Sequence, residues 1–368
     1  MAPRSALLLL GLVAGLLLPL PALRLQTGRE EAPPKTATAP VVCRLLDDTC
    51  VSAGSRVVVV GDVHGAFDGL REVLLQAGVI ADAKAAHCAW RSLGNESVTL
   101  VQMGDIVDRG PGATEAWTCL HRLQTSAPQG SAVVRLLGNH ELFWLKGQVH
   151  ARHRFADTAG KIAELNRRMK DDIASGRVLA AYALSVNGLD ILFTHAGVRP
   201  AFDAYLRRQG INTASATAGF LNQVLNASAS ACIGKSTCRL DEDREVYEAG
   251  KDRGGKHIGG PFWTDFSILE SAEAAGTALP GVLQIVGHTM AFCFDPSNPE
   301  YYPREDEYEC ALGLIRATER MTAICTDAGM YAGARAYLEI SDWRKFTAFE
   351  KQRDGSWRGR DLVGGLCS

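Results

Sequence analysis

From residue 56 onward, short runs of β-branched residues alternate with stretches whose apolar positions recur every three or four residues, as strands and helices laid down in turn would do. Arg56 to Val60, all valine after the arginine, predicts a buried strand. Leu70, Val73, Leu74 and Ala77 then stand at helical spacing, with Gly78 placed to close the helix. The rhythm repeats in a strand from Val98 to Met103, a helix from Thr114 to Gln124 and a strand from Ala132 to Leu137. Polar helical segments follow between His150 and Ser185, clearest over Lys161 to Met169, and read as a cap or insertion before a strand from Leu189 to Phe193. Pro200 to Gly260 mixes helix, two cysteines and the glycine-rich stretch Arg253 to Gly260, and is expected to wall a substrate cleft. Strands at Leu283 to Val286, Ala311 to Ala317, Thr322 to Cys325, Arg335 to Ile340 and Lys345 to Glu350 end the chain in a β-meander. The pattern is that of a layered α/β domain.

Composition changes this picture mainly at the amino end. Residues 1–25 carry one early cation, Arg4, then the apolar run Ala6 to Leu18 and Pro19, Pro21 and Ala22, which reads as a signal peptide. Extension of the apolar character through Leu23 and Leu25 leaves an uncleaved signal anchor as the alternative, the one case in which a membrane is a partner. Residues 26–42, rich in Pro, Ala, Thr and charge, form a linker, and residues 43–368 the catalytic domain. A formal charge of −2 gives no basic footprint for nucleic acid. Ten cysteines, an even count, point to disulfides and hence to the secretory pathway, with the ER lumen, secretion or signal anchoring as its outcomes. Cys43 to Cys50 and Cys232 to Cys238 look like local staples, although spacing alone leaves connectivity open. The triplets beginning at Asn95 and Asn226 are glycosylation sequons.

The chemistry sits directly behind the predicted strands. In order come Gly61, Asp62, Val63, His64 and Gly65, then Gly104 to Gly110 with Asp105, Asp108 and Arg109, then Gly138, Asn139, His140 and Glu141. Thr194, His195, Ala196 and Gly197 follow, and finally Val286, Gly287, His288 and Thr289. Loops leaving the carboxyl ends of strands in an open α/β sheet share one crevice, so these five can meet. Carboxylate, carbonyl oxygen and imidazole without thiolate suit two borderline-hard divalent cations. A lone Gly-Asp is more often a turn, and a lone His195 a satisfied core histidine. Five such motifs in one strand-loop context are not explained that way.

The series GDxHG, GDxxDRG, GNHE, His-Ala-Gly and GHT resembles the phosphoprotein phosphatase family of calcineurin-like metallophosphoesterases, over about Val57 to Ile340. Gly138 to Gly147, Thr326 to Met330 and Leu338 to Ile340 are most similar to its Shewanella-like protein phosphatases. The resemblance implies a calcineurin-like four-layer fold, two mixed β-sheets packed face to face and flanked by helices. It also implies two divalent ions bridged by a carboxylate and a hydroxide, with Mn²⁺ ahead of Fe or Zn²⁺. Asp62 and His64 would hold the first ion, Asp105 would bridge, and Asn139, His195 and His288 would hold the second. The hydroxide would attack phosphorus in line while His140, oriented by Asp108, protonates the leaving oxygen. Arg109 would fork onto the phosphate, which Asn139 also meets, and Glu141 receives no role. The alanine at 196 departs from the commoner His-Gly-Gly. The family's second phosphate arginine has no counterpart between Asp265 and Arg304, with Arg199 and Arg253 as unassigned substitutes.

The expected substrate is a phosphorylated protein or peptide, with phosphotyrosine and phosphoserine or phosphothreonine both open; oligomeric state has no signal. A dinucleoside polyphosphate hydrolase is the alternative enzyme, since Pro111 follows the Asp-Arg-Gly run in those too. It needs an adenine platform that the scatter of Trp90, Trp117, Trp144 and Trp263 does not reveal. A non-catalytic metal-binding scaffold is the alternative of another class, against which stands the presence of His140 and all six ligands.

Overall fold

The valine run becomes the centre of a sheet. The structure is a computed structural model that describes residues 42–44, 49–51, 55–84, 87–148, 159–186, 188–232, 235, 238, 240, 243–290, 314–341 and 345–363. Ser55–Val60 (β3) pairs in parallel with Ser97–Gln102 (β4), β4 with Ala132–Leu136 (β5), and β5 with Val178–Leu179 (β6). On the other flank of β3 the antiparallel meander of Ala336–Ser341 (β12), Lys345–Lys351 (β13) and Trp357–Asp361 (β14) completes a mixed sheet. The second sheet places, in spatial order, Arg316–Ala317 (β10), Ala323–Cys325 (β11), Val282–Val286 (β9), Leu189–Thr194 (β8), Ala181–Val186 (β7), Val42–Arg44 (β1) and Thr49–Val51 (β2). Within it β8, β9 and β11 run parallel.

Because side chains alternate along a strand, β3 feeds two cores at once. Val57 and Val59 face the second sheet, in a cluster with Val101, Ile191, Phe193 and Ile285. Val58 and Val60 face outward to Leu70, Val73 and Leu74 of Phe67–Gln76 (α1) and to the helix Ala113–Thr125 (α2). Burial on both faces is why the run is unbroken valine rather than alternating. Helix α2 buries Ala113, Ala116, Trp117, Leu120 and Leu123, a stripe at helical period. The remaining helices are Asn139–Leu145 (α3), Ala159–Ala174 (α4), Pro200–Arg207 (α5), Ala214–Cys232 (α6), Arg244–Tyr247 (α7) and Phe266–Ala274 (α8). The result is the two mixed sheets with flanking helices that the resemblance implied.

Several elements differ from the pattern reading. The helical reading up to Ser185 fails after Ala174, because β6 and β7 begin at Val178 and Ala181. Residues 178–184 are almost wholly buried and rich in alanine, so neither alternation nor β-branching marks them as strand. Helix α4 is no detached cap. Its Asp172 accepts the Trp117 indole N–H at 2.9 Å and meets the fully buried Arg135 of β5 at 2.9 Å. Within Pro200 to Gly260, α6 lies on the second sheet instead of lining a cleft, with the Asn222 side-chain oxygen accepting the Ala180 and Ala181 N–H groups. Strand β14 carries no apolar alternation in the sequence because it is a largely exposed, charged edge. Of the strand expected at Ala311 to Ala317, the described part is the two-residue β10.

Two disulfides join described residues: Cys232 to Cys238, and Cys88 to Cys119, which ties the segment before β4 to α2. Cys43 and Cys50 face each other in the β1–β2 register, and their side chains lie outside the described residues. The leader and all of the linker but Val42 lie outside them as well.

Candidate metal centre

The parallel strands of both sheets deliver the predicted ligands to one place. Asp62 and His64 follow β3, Asp105 follows β4, Asn139 opens α3 behind β5, His195 follows β8 and His288 follows β9. The backbone is bent hard to do this. Among the described residues, non-glycine positive φ occurs at His64 (47°), Asp105 (52°), Asp108 (70°), Arg109 (65°) and His288 (69°), and elsewhere only at Met321. Such conformations cost energy and collect where side-chain placement matters more than local comfort. Gly138 is equally constrained, since a Cβ there would strike the Asp105 carboxylate.

Asp105 stands in two clusters of possible ligands, one with His64 and His140 and one with His195 and His288. Its Oδ2 lies 3.5 Å from His64 Nε2, 3.6 Å from His195 Nε2 and 3.9 Å from His140 Nε2. Asn139 Oδ1 lies 2.8 Å from His195 Nε2 and 3.0 Å from His288 Nδ1. Neighbouring ligands bound at about 2.0–2.1 Å to one ion are themselves about 3 Å apart, so these spacings fit a shared cation. His64 Nδ1 faces the Val107 carbonyl at 2.9 Å and His195 Nδ1 the Met103 carbonyl at 2.9 Å. Each carbonyl accepts a hydrogen bond from Nδ1–H, which keeps the proton on Nδ1 and leaves the Nε2 lone pair for a metal. Asp62 Oδ1 accepts the His288 backbone N–H at 3.0 Å, while Asp62 Oδ2 is buried without a hydrogen-bond partner. An orphaned buried carboxylate oxygen is what a cation would satisfy.

The electrostatics agree. Burial pushes Asp62 well above the usual carboxylate range, reinforced by the charges of Asp327 and Asp105. Burial also pushes Asp105 up, but His195, His140 and His64 outweigh it and hold it low. Burial keeps His64, His195 and His288 below the ordinary imidazole range, and so neutral near pH 7 as metal ligands must be. Two divalent charges would relieve the crowding of Asp62, Asp105 and Asp327. Metal-saturated protein is therefore expected to melt above chelator-treated protein, by the equivalent of about 2.7 kcal/mol at a hundredfold excess over Kd. Calorimetry with and without a chelator reads this, and equal melting temperatures would count against a cation site.

Around the clusters, His140 Nδ1 lies 2.7 Å from Asp108 Oδ2. Burial disfavours the His140 imidazolium, yet the Asp105 charge and the Asp108 hydrogen bond more than compensate and raise its pKa. Arg109 lays its guanidinium over the Tyr331 ring at 4.5 Å, and its charge reaches Asp62 and His64. The two arginines left open separate. Arg199 is held by Asp252 at 2.6 Å, whereas Arg253, bonded to Asp265, exerts its charge on both His195 and His288.

Four residues here had no assigned role. Glu141 Oε2 accepts the N–H groups of Asp105 and Gly138, both at 2.8 Å, and Oε1 those of Ile106 at 2.8 Å and Val107 at 3.1 Å. It fastens the loop after β4 to the loop after β5. Buried Asp327, whose Oδ1 accepts the Gly329 N–H at 3.0 Å, follows β11 as Asp62 follows β3, and that shared pattern together with its place in the Thr326 to Met330 stretch was its signal. Burial pushes its carboxyl up to about 6. Phe143 and Trp263 form a partly exposed arc, with centroids at 6.0 Å from His140 to Phe143, 5.5 Å from Phe143 to Trp263 and 6.2 Å from Trp263 to His288. Spacing along the chain could not reveal an arc of residues so far apart. Trp117 and Trp144 are instead fully buried and offer no face to a ligand.

Residues 55–223 match the family model described as calcineurin-like phosphoesterase. An uncharacterized protein of Schizosaccharomyces pombe is 34% identical over 300 residues, 77% of this chain and 77% of its own length. Asymmetrical bis(5′-nucleosyl)-tetraphosphatase of Bacillus velezensis is 28% identical, over 38% of this chain and 56% of its own. Shewanella-like protein phosphatase 1 of Plasmodium berghei is 26% identical, over 39% of each. This chain thus spans less than two thirds of either enzyme's length. The crystal structure of a cold-active protein-tyrosine phosphatase from a psychrophilic Shewanella shares the fold, with a TM-score of 0.50 at 19% identity over 84% of this chain and 82% of that one.

Proposed function

The chain belongs to the calcineurin-like phosphoesterase family, and from that membership we propose that it is a two-metal phosphatase acting on phosphoprotein monoesters, with His140 protonating the departing oxygen. The observation that carries the proposal is the double membership of Asp105, one carboxylate common to both ligand clusters. Divalent cations, when bound, supply an activated water near neutral pH and neutralise phosphoryl charge. Asp62 and His64 would hold one, Asn139, His195 and His288 the other, and Asp105 would be shared by both. A nitrogen and oxygen donor set without thiolate suits Mn²⁺ first, with Fe and Zn²⁺ as the other outcomes of a metal assay.

The chain's own groups do the rest. Arg109, held against Tyr331, presents a planar fork that matches two phosphate oxygens, and the Asn139 amide meets the phosphate beside it. Arg253 is the second cationic contact, on the side of His195 and His288. His140 Nδ1 is engaged by Asp108, so the proton on Nε2 is the one given to the leaving oxygen as the P–O bond breaks.

The arc of Phe143 and Trp263 beside His140 favours an aromatic leaving group, hence phosphotyrosine over phosphoserine. Trp263→Ala is expected to raise KM for a phosphotyrosine peptide about twofold to tenfold, the effect of an aromatic contact worth about 0.5–1.5 kcal/mol. KM for the phosphoserine peptide should stay nearly constant, and equal changes for both would remove the aromatic argument. The disulfides and the exposed Asn95 and Asn226 support a secretory-pathway glycoprotein with a leader over 1–25, a linker over 26–42 and the catalytic domain over 43–368.

Phosphate release by Mn²⁺-loaded protein from phosphotyrosine peptide, phosphoserine peptide and diadenosine tetraphosphate, side by side, tests the reading. Turnover of the peptides is expected. Preference for the dinucleotide would replace the reading with a polyphosphate hydrolase, and inertness toward all three with a metal-binding scaffold.

A further inference from the structure

Both carboxylate oxygens of Asp108 are engaged. Oδ2 lies 2.7 Å from His140 Nδ1, and Oδ1 accepts the indole N–H of Trp144 at 2.7 Å. Trp144 follows His140 by one helical turn on α3, so the two side chains stand on the same face of that helix and reach one carboxylate together. Asp108 and Trp144 are both 0% exposed. The Trp144 backbone carbonyl, in turn, accepts the Asn166 side-chain N–H at 2.6 Å, which seats α3 against α4.

We infer that Trp144 is a positioning residue for monoester cleavage: its N–H sets the rotation of the Asp108 carboxylate, and Asp108 so held keeps the His140 ring aimed at the departing oxygen. The inference rests on the general-acid reading of His140. The last torsion of an aspartate is broad and nearly two-fold, so packing alone does not choose which way its oxygens face. A donor on the second oxygen does choose. Indole suits that task because it donates one fixed hydrogen and accepts none, so it cannot compete for the His140 proton as a hydroxyl could. Without the N–H, Oδ1 becomes a desolvated anionic oxygen with its indole donor gone, and the carboxylate is drawn to turn away from His140.

Leaving-group dependence separates positioning from packing. A general acid matters most when the departing oxygen is basic, so its loss slows phenyl phosphate more than p-nitrophenyl phosphate. The experiment compares kcat/KM for both esters in Mn²⁺-loaded wild type, Trp144→Phe and His140→Asn, with metal content measured on each protein. Phenylalanine keeps an aromatic ring in the site and removes the N–H. The expected result is a loss on phenyl phosphate about tenfold larger than on p-nitrophenyl phosphate for Trp144→Phe, with a larger ratio for His140→Asn. If His140→Asn shows the selective loss and Trp144→Phe slows both esters equally, Trp144 only fills space and the inference is overturned. If His140→Asn itself lacks the selectivity, the general-acid reading has failed and the inference goes with it. Should the phenylalanine variant fold poorly, benzothienylalanine at position 144, with sulfur in place of N–H at nearly constant shape, must give the same selective loss, and its absence overturns the inference.

Discussion

Asp105→Asn is expected to release both cations and to lower kcat/KM by roughly 10⁴ or more, taking each cation as worth at least the roughly 10²–10³ of a single oxyanion donor. The argument is geometric. Asp105 Oδ1 accepts the His140 backbone N–H at 2.9 Å, while Oδ2 faces His64, His195 and His140. Asparagine would keep its one oxygen on that N–H, because the reversed amide sets two donors against each other. Its NH₂ group then points into both ligand clusters, where it cannot coordinate and where its positive end repels a cation. Asp62→Asn is the instructive contrast, since Asp62 serves only the first proposed cation and one ion should remain. Elemental analysis of the two variants beside their kinetics distinguishes the cases. Two retained cations in Asp105→Asn would mean that this carboxylate bridges nothing.

The features most legible in the sequence were those that depend on local pattern within a repeated architecture. A candidate ligand directly behind a strand stands in the sequence at Asp62, Asp105, Asn139, His195 and His288. Parallel pairing of β3 with β4 and β5, and of β8 with β9, then turns five separate loops toward one edge. Features that depend on partners distant in the chain could not be read. Trp144 meets Asp108 across 36 residues, and Cys88 bonds Cys119 across 31, at spacings that carry no period. Alanine hid β7, since a strand buried on both faces needs neither alternation nor bulk where a helix packs close, as α6 does at Ala181 and Ala183. Glu141 was opaque for a related reason. In sequence it is one acid at the third position of a helix, and only the fold brings the N–H groups of the loop after β4 to it.

Glu141→Gln is expected to cost about 2–6 kcal/mol, a large part of the roughly 5–15 kcal/mol that holds a domain folded. Each carboxylate oxygen accepts two N–H groups, one pair from Asp105 and Gly138 and the other from Ile106 and Val107. Glutamine offers an oxygen to one pair and hydrogens to the other, so two buried donors lose their acceptor at about 1–3 kcal/mol each. Burial and the Asp105 charge push the Glu141 carboxyl up to about 7, a sign of how little solvent shares its role. At about 2 °C per kcal/mol, the melting temperature should fall by about 4–12 °C. The loop carrying Asp105, Asp108 and Arg109 would lose its registration on Asn139 and His140, so cation affinity should fall together with stability. Thermal unfolding and metal titration on Glu141→Gln read both effects. An unchanged melting temperature with unchanged affinity would show that the backbone strain at Asp105, Asp108 and Arg109 is held by other contacts.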